Sequence, residues 1–271
     1  MVHVTLCGNL GFNFHYIQLS DSMAGHSKFK NIMYRKGAQD AKRAKVFTKI
    51  IREITVAARG GMPDPAMNPA LRIAIQTAKA ANMGKDTISR AIKRGAGGAD
   101  GDDWQEIRYE GFGPGGIAVI VEALSDNRNR TVSELRTIFN KNDGTLGDAG
   151  CVTFLFERVG AITYPPGAAS PDEVFDAAIE AGAEDCLSGE DGHEIICPAE
   201  NLGMVRDSLE NSIGLCRSAG LEWKPQSTIE LEEDDAAKLL ALLEALEDCD
   251  DVRNVSANFD ISDELMEKLS A

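Results

Sequence analysis

The chain has 271 residues, 43% of them hydrophobic and 26% charged, with a formal net charge of -15. That composition excludes a wholly disordered chain and predicts more than one folded unit. No apolar run reaches the roughly 18 residues a membrane-spanning helix needs, so no membrane partner is expected.

The charge is segregated. Residues 23–98 carry nine Lys and seven Arg against Asp40, Glu53, Asp64 and Asp86, a net of +12, whereas residues 99–271 carry a net of −26. A strongly basic module joined to an acidic body points to a polyanionic partner, because clustered cations bind phosphate backbones by releasing counterions. Aromatic residues make up only 6% of the chain, which disfavours stacking platforms for single-stranded bases.

In residues 1–22, Val2, Val4 and Leu6, then Phe12, Phe14 and Tyr16, alternate with polar residues. Two readings stand: a hairpin, or sequence upstream of a true start at Met23. The second is the expectation, and no secretory leader is expected. Residues 23–38 read as a basic arm, with Lys28, Lys30, Arg35 and Lys36 interleaved with Phe29 and Tyr34. Residues 39–59 read as an amphipathic helix. Phe47, Ile50, Ile51, Ile54 and Ala58 form its apolar face, and Lys42, Lys45, Lys49, Arg52 and Arg59 gather within about 100° on the other side. A second helix is predicted from Asn68-Pro69 to Asn82, and a third over 87–94, capped by Asp86 and carrying Arg90, Lys93 and Arg94. The short link between them is compatible with a helix-turn-helix, as with any helical hairpin.

Residues 95–103 read as a Gly-rich acidic linker. Strands are predicted at 106–110, 117–124 and 151–156, with a helix over 131–141 opened by Thr131 and Glu134 as a capping box. Strand 160–164, helix 171–181, strands near 184–188 and 193–197, helix 199–213 and a strand near 226–231 make a βαββαβ cycle of ferredoxin-like type. Helix 234–247 and strand 252–259 close the preceding unit. The expected fold class is therefore α+β and multidomain: a basic helical domain over 23–98, a discontinuous α+β domain over 99–158 plus 229–271, and an inserted α+β domain over 159–228.

Gly111-Phe112-Gly113-Pro114-Gly115-Gly116 matches a dinucleotide-binding spacing by letter, but strands flank it on both sides, so it reads as a tight turn. His193 and Cys197 lack a second ligand pair for zinc. The six cysteines form no C-x-x-C pair and read as buried thiols in a reducing cytosol. No nucleophile elbow or triad is evident, so no catalytic residue, metal or cofactor is expected. The acidic runs 232–235 and 247–251 read as solvated charge at helix ends. In Asp126-Asn127-Arg128-Asn129-Arg130-Thr131 two arginines precede a helix start, where the dipole disfavours cations. Either nearby acids pair with Arg128 and Arg130, or both face an external anion together with the free N–H groups of the helix.

Several motifs occur in order that resemble the YebC/PmpR family. They begin with Met23-Ala24-Gly25-His26-Ser27-Lys28-Phe29-Lys30-Asn31 and Lys45-Val46-Phe47-Thr48-Lys49. Arg90-Ala91-Ile92-Lys93-Arg94-Gly95, Tyr109-Glu110-Gly111 with Gly113-Pro114-Gly115-Gly116, and Asp126 to Thr131 follow. The resemblance spans residues 23–271, and it is why Met23 is read as the start. It implies three domains and a cytoplasmic, non-enzymatic, DNA-binding transcriptional regulator without a cofactor. Relatives tied to translation, among them a mitochondrial translational activator of cytochrome oxidase, imply an alternative: a ribosome-associated factor that binds structured ribosomal or transfer RNA and relieves stalls at proline stretches. A monomer is expected. The expected nucleic-acid contacts, from charge, are Lys28, Lys30, Arg35, Lys36, Lys42, Lys45, Lys49, Arg52, Arg90, Lys93, Arg94, Arg128 and Arg130.

Overall fold

The computed structural model describes residues 40–97 and 104–270. The readings of residues 1–22 and of the arm over 23–38 lie outside the described residues, as do most of the linker positions.

The first unit is a three-helix module. Helix α1 (Asp40–Gly60) packs Ile50, Ile54 and Ala58 against Leu71, Ala74 and Ala78 of α2 (Pro69–Ala80) and Ile88 and Ala91 of α3 (Lys85–Ala96). Asn68 caps α2 by accepting from Leu71 N at 3.1 Å. Its amide also donates to the carbonyls of Ala57 and Met62, which ties the end of α1 to the start of α2. Helix α3 starts earlier than the sequence suggests: Gly84 stands at the cap without a side-chain bond, and Asp86 lies inside the first turn, where its charge suits the dipole. The helix also runs past Gly95, where close packing against α1 requires a residue without Cβ. An added Cβ would meet the Thr55 carbonyl oxygen and stand 2.8 Å from Ala58 Cβ. The close approach of α3 to α1 depends on that glycine.

Beyond it lie two four-stranded antiparallel sheets. The first has the order β3-β1-β2-β9, from β1 (Gln105–Phe112), β2 (Ala118–Ser125), β3 (Thr145–Leu146) and β9 (Val252–Ala257). Helices α4 (Arg128–Lys141) and α7 (Glu233–Glu247) cover one face, closing a core of Val119, Val121, Leu135, Phe139, Leu239 and Val255. The other face of β2 is also covered, by Val152, Phe156 and Trp223 around Ala118 and Ile120. Burial on both sides explains the unbroken apolar run of β2.

The second sheet comes wholly from 156–225: β4 (Phe156–Tyr164), β5 (Asp185–Gly189), β6 (Gly192–Pro198) and β7 (Ser218–Pro225), in the order β5-β6-β4-β7. With α5 (Pro171–Ala181) and α6 (Leu202–Ser212) against one face, this is a ferredoxin-like βαββαβ unit. The expected class, α+β with a helical N-terminal region, is the observed one. Strand β4 continues unbroken through the expected junction at 158/159.

Four local expectations are corrected. No strand spans 151–155: the backbone N–H groups of Val152 and Thr153 bond the Glu110 carboxylate instead of a ladder, and a 3₁₀ turn follows. The strand closing the inserted unit is 218–225 rather than 226–231. The short β8 (Ile229–Glu230) pairs in parallel with β10 (Phe259–Asp260), apart from both large sheets. Strand 252–259 breaks at Asn258, whose side-chain oxygen accepts from Ala118 N. The capping box at Thr131 does not form, because Asn127 caps α4 by accepting from Arg130 N. A final helix, α8 (Asp263–Ser270), was not anticipated.

Candidate nucleic-acid interface

The expected cationic residues divide into three sets. Lys28, Lys30, Arg35 and Lys36 lie outside the described residues, and Lys42 falls in the first turn of α1. Arg90, Lys93 and Arg94 are exposed on the face of α3 opposite its buried Ile88, Ala91 and Gly95. Arg90 curls over its own helix start, bonding the Asp86 carbonyl and the Thr87 hydroxyl at 3.3 and 3.4 Å. With Ile51, Thr87 and Ala91, Arg90 and Arg94 line a shallow depression between α1 and α3. Its floor is apolar and its rim cationic.

The third set is Lys45, Lys49 and Arg52, and it does not face solvent as a bare stripe. All three reach the C-terminal end of α7. Lys45 Nζ donates to the Asp248 carbonyl at 3.2 Å and stands 3.7 Å from its carboxylate. Lys49 donates to the Glu247 carbonyl. Arg52 donates to the Asp250 carbonyl at 2.7 Å and the Asp251 carboxylate at 3.2 Å, with its guanidinium 4.6 Å from the Trp104 ring centre. The last carbonyls of a helix lack intrahelical donors and carry the negative end of its dipole, so cations fit there. Burial pulls the Lys49 pKa down and pushes that of neighbouring Glu53 up, in both cases against the nearby opposite charges. Glu53 pairs with Arg253 at 3.3 Å. The polar face of α1 is therefore an interface with the acidic body.

The arginines of the Asp126–Thr131 motif lie in the first turn of α4, not before it. Arg130 is paired inside the chain, at 2.7 Å with Asp126 and 3.0 Å with Asp251. Arg128 is exposed, and its carbonyl accepts from Tyr109 OH.

Asp251 is the residue sequence reasoning missed. Read as part of a solvated acidic run, it is 4% exposed. It accepts from Thr131 and Ser125 hydroxyls at 2.7 and 3.1 Å, from Arg130 and from Arg52. These donors hold its pKa below the ordinary value despite burial. One carboxylate thus joins β2, α4, the start of β9 and α1. The only available signal was the excess of hydroxyl and guanidinium donors in Ser125–Thr131, which need a buried acceptor. The rest of the 247–251 run contributes backbone carbonyls, which no side-chain pattern announces.

Among the described residues, no group of three or more His, Cys, Asp or Glu is placed to hold a metal. His193 is buried, with Nδ1 2.8 Å from the Ser188 hydroxyl, and Cys197 lies in the core of the second unit. The five described cysteines are free thiols, and burial raises the pKa of Cys186, Cys197, Cys216 and Cys249. The Gly111–Gly116 turn joins the antiparallel β1 and β2, with Gly115 and Gly116 at φ of 69° and 74°. No described helix is long and apolar enough to cross a membrane.

Fold and surface together define a multidomain α+β protein whose distinguishing feature is a charged helical module seated on an acidic body. The chain belongs to the TACO1/YebC family: residues 27–98 match the family's N-terminal domain, and residues 104–259 match its second and third domains. It is also similar to a solved structure, the conserved hypothetical protein Aq1575 from Aquifex aeolicus. The two share 49% sequence identity over 83% of this chain and 93% of that one, with a TM-score of 0.78.

Proposed function

We propose that this protein is a non-enzymatic, cytoplasmic nucleic-acid-binding regulator of transcription that grips the phosphate backbone of duplex DNA with its helical module. The observation that carries the reading is the exposed cationic face of α3, Arg90, Lys93 and Arg94, on a module of net +12 attached to a body of net −26. The acidic body repels DNA and keeps contact centred on the module. Family membership supports the reading, since the family is generally regulatory or nucleic-acid-binding rather than enzymatic. Lys28, Lys30, Arg35, Lys36 and Lys42 add to the positive charge of the same module, and Arg128, exposed at the start of α4, adds a cation from the body.

The second reading is a ribosome-associated translation factor. The same surface fits structured RNA, because nothing in the α3 set distinguishes base edges, and phosphates alone do not specify DNA.

Binding to a labelled duplex is the test. If the interface neutralises about six phosphates, affinity falls roughly a thousandfold between about 50 and about 200 mM salt. The triple change R90E/K93E/R94E abolishes most of that binding and flattens the salt dependence. Unaltered affinity would place the interface elsewhere. Co-sedimentation with ribosomes after DNase treatment, together with preference for ribosomal RNA over duplex DNA, selects the second reading.

A further inference from the structure

Lys45, Lys49 and Arg52 lie on the side of α1 turned away from its own bundle, and each ends on an oxygen at the C-terminus of α7 or just beyond it. The set they meet consists of the carbonyls of Glu247, Asp248 and Asp250 and the carboxylates of Asp248 and Asp251. Chemically this is a short row of partly and fully anionic oxygens, met by ammonium and guanidinium groups. A phosphodiester backbone likewise offers donors closely spaced acceptor oxygens without a hydrogen to give, with a full charge on each phosphate where this row has carbonyl dipoles and two carboxylates. The match lies in both charge and hydrogen-bonding sense.

The contact is also one that competition can displace. Its peripheral pairs are open to water: the Lys45 and Asp248 side chains are 48% and 47% exposed, and Arg253, which holds Glu53, is 48% exposed. Exposed pairs contribute little each and weaken with salt. Inside this rim the contact is less open: the Arg52 and Asp251 side chains are 21% and 3% exposed, and the Arg52 guanidinium stands over the Trp104 ring.

We propose that the end of α7 is an internal mimic of a phosphate backbone, and that it competes with nucleic acid for the Lys45–Lys49–Arg52 stripe of α1. This rests on the nucleic-acid reading above. In the docked form the α3 face is exposed, whereas the Lys45–Lys49–Arg52 stripe is occupied by the end of α7. Undocking frees three further cations and enlarges the phosphate footprint, so binding proceeds from a weak contact at α3 to a tighter one that includes α1. The ligand class is a phosphodiester polymer long enough to span both helices, not a mononucleotide.

Arg253→Glu tests this without touching the stripe. It places a carboxylate against Glu53 and Glu106, which Arg253 now pairs, and so opposes docking. It also makes the protein more negative by two charges, which by simple long-range repulsion would weaken DNA binding. Asp248→Asn is the second variant, on an exposed side chain. Hydrogen exchange on the full chain reports docking through the amides of 45–52 and 248–253, and anisotropy with a labelled duplex reports affinity. The proposal expects faster exchange at both segments in each variant. It also expects affinity raised about tenfold in R253E, because the apparent constant scales with the fraction of competent molecules. Saturating duplex should produce the same increase in exchange at 248–253 in the unaltered protein. Faster exchange with unchanged or weaker affinity overturns the competition and leaves the α3 reading intact. Unchanged exchange in both variants overturns the ionic latch itself. If neither the unaltered protein nor either variant binds duplex DNA or structured RNA, the nucleic-acid reading falls and the competition falls with it.

Discussion

Two buried carboxylates organise the single-residue chemistry. Glu110, 1% exposed on β1, accepts from Val152 N, Thr153 N and the Thr153 hydroxyl at 2.9, 3.0 and 2.6 Å, with Arg108 beside it. Burial alone would raise its pKa, but these donors outweigh it and hold the group down to about 2. A carboxylate with a depressed folded pKa contributes stability that is complete above its unfolded value. That stability is lost as pH falls through the folded value. Glu110 therefore adds on the order of 3 kcal/mol that disappears between about pH 4.5 and 2. Thermal melts across that range should show Glu110→Gln less stable than the unaltered protein at neutral pH, with the two curves converging in acid. Parallel curves would show that the charge is not what the donors hold. Asp251 titrates in the same direction and adds to the acid sensitivity. Neither role was legible from the residue itself. An acid inside a β-strand or at a helix end has many solvated precedents, and only the arrival of donors from distant parts of the chain distinguishes these two.

At the scale of elements, apolar periodicity was a sufficient guide wherever a helix face or strand face meets its own core. α1, α2, α5 and α7 lie close to their expected limits. The α5 capping box, with Ser170 and Glu173 bonded reciprocally, shows how local signals work when the partners are three residues apart. Local signals failed where a longer-range bond won. Thr131 looks like a cap, yet its hydroxyl goes to Asp251 and Ser125, leaving Asn127 to cap α4. Likewise, residues 151–155 of the apolar run form a turn, with the Val152 and Thr153 amides taken by Glu110. Gly95 is the element-level test. Gly95→Ala places a methyl against the Thr55 carbonyl and Ala58, and overpacking of this kind costs about 1–3 kcal/mol. The expected outcome is a lower unfolding midpoint for the helical module, followed by helical circular dichroism. Gly97→Ala, whose added Cβ would lie 3.3 Å from the Lys93 carbonyl, should show a smaller change.

For the whole molecule, the decisive contacts join its parts. Two guanidinium groups stand against the Trp223 ring of β7, Arg108 of β1 at 5.1 Å and Arg158 of β4 at 4.8 Å from its centre, and its Nε1–H donates to Glu122 of β2 at 3.3 Å. Arg158 also pairs with Glu122 at 2.8 Å. This cluster couples the first sheet to the second. Trp223→Ala should cost about 2 kcal/mol, less than a fully buried tryptophan because the side chain is only partly buried. It should also separate the unfolding of the two sheet units into distinguishable calorimetric transitions. A single transition shifted as a whole would show that other contacts carry the coupling. The interface between α1 and α7 belongs to the same scale. There a stripe that reads as a phosphate-binding face is occupied by the protein's own helix end.

Composition and periodicity alone determined the α+β class, the three-helix basic module, the ferredoxin-like order of the inserted unit and the sharp separation of charge. Each is written in residues close together in the chain, where side-chain type and spacing decide the outcome. Which cations meet solvent, and which acids are buried, was decided only by the tertiary structure. A polar helix face is equally compatible with water, a ligand or another domain, and the oxygens that met this one are mostly backbone carbonyls, which every residue carries and no sequence marks.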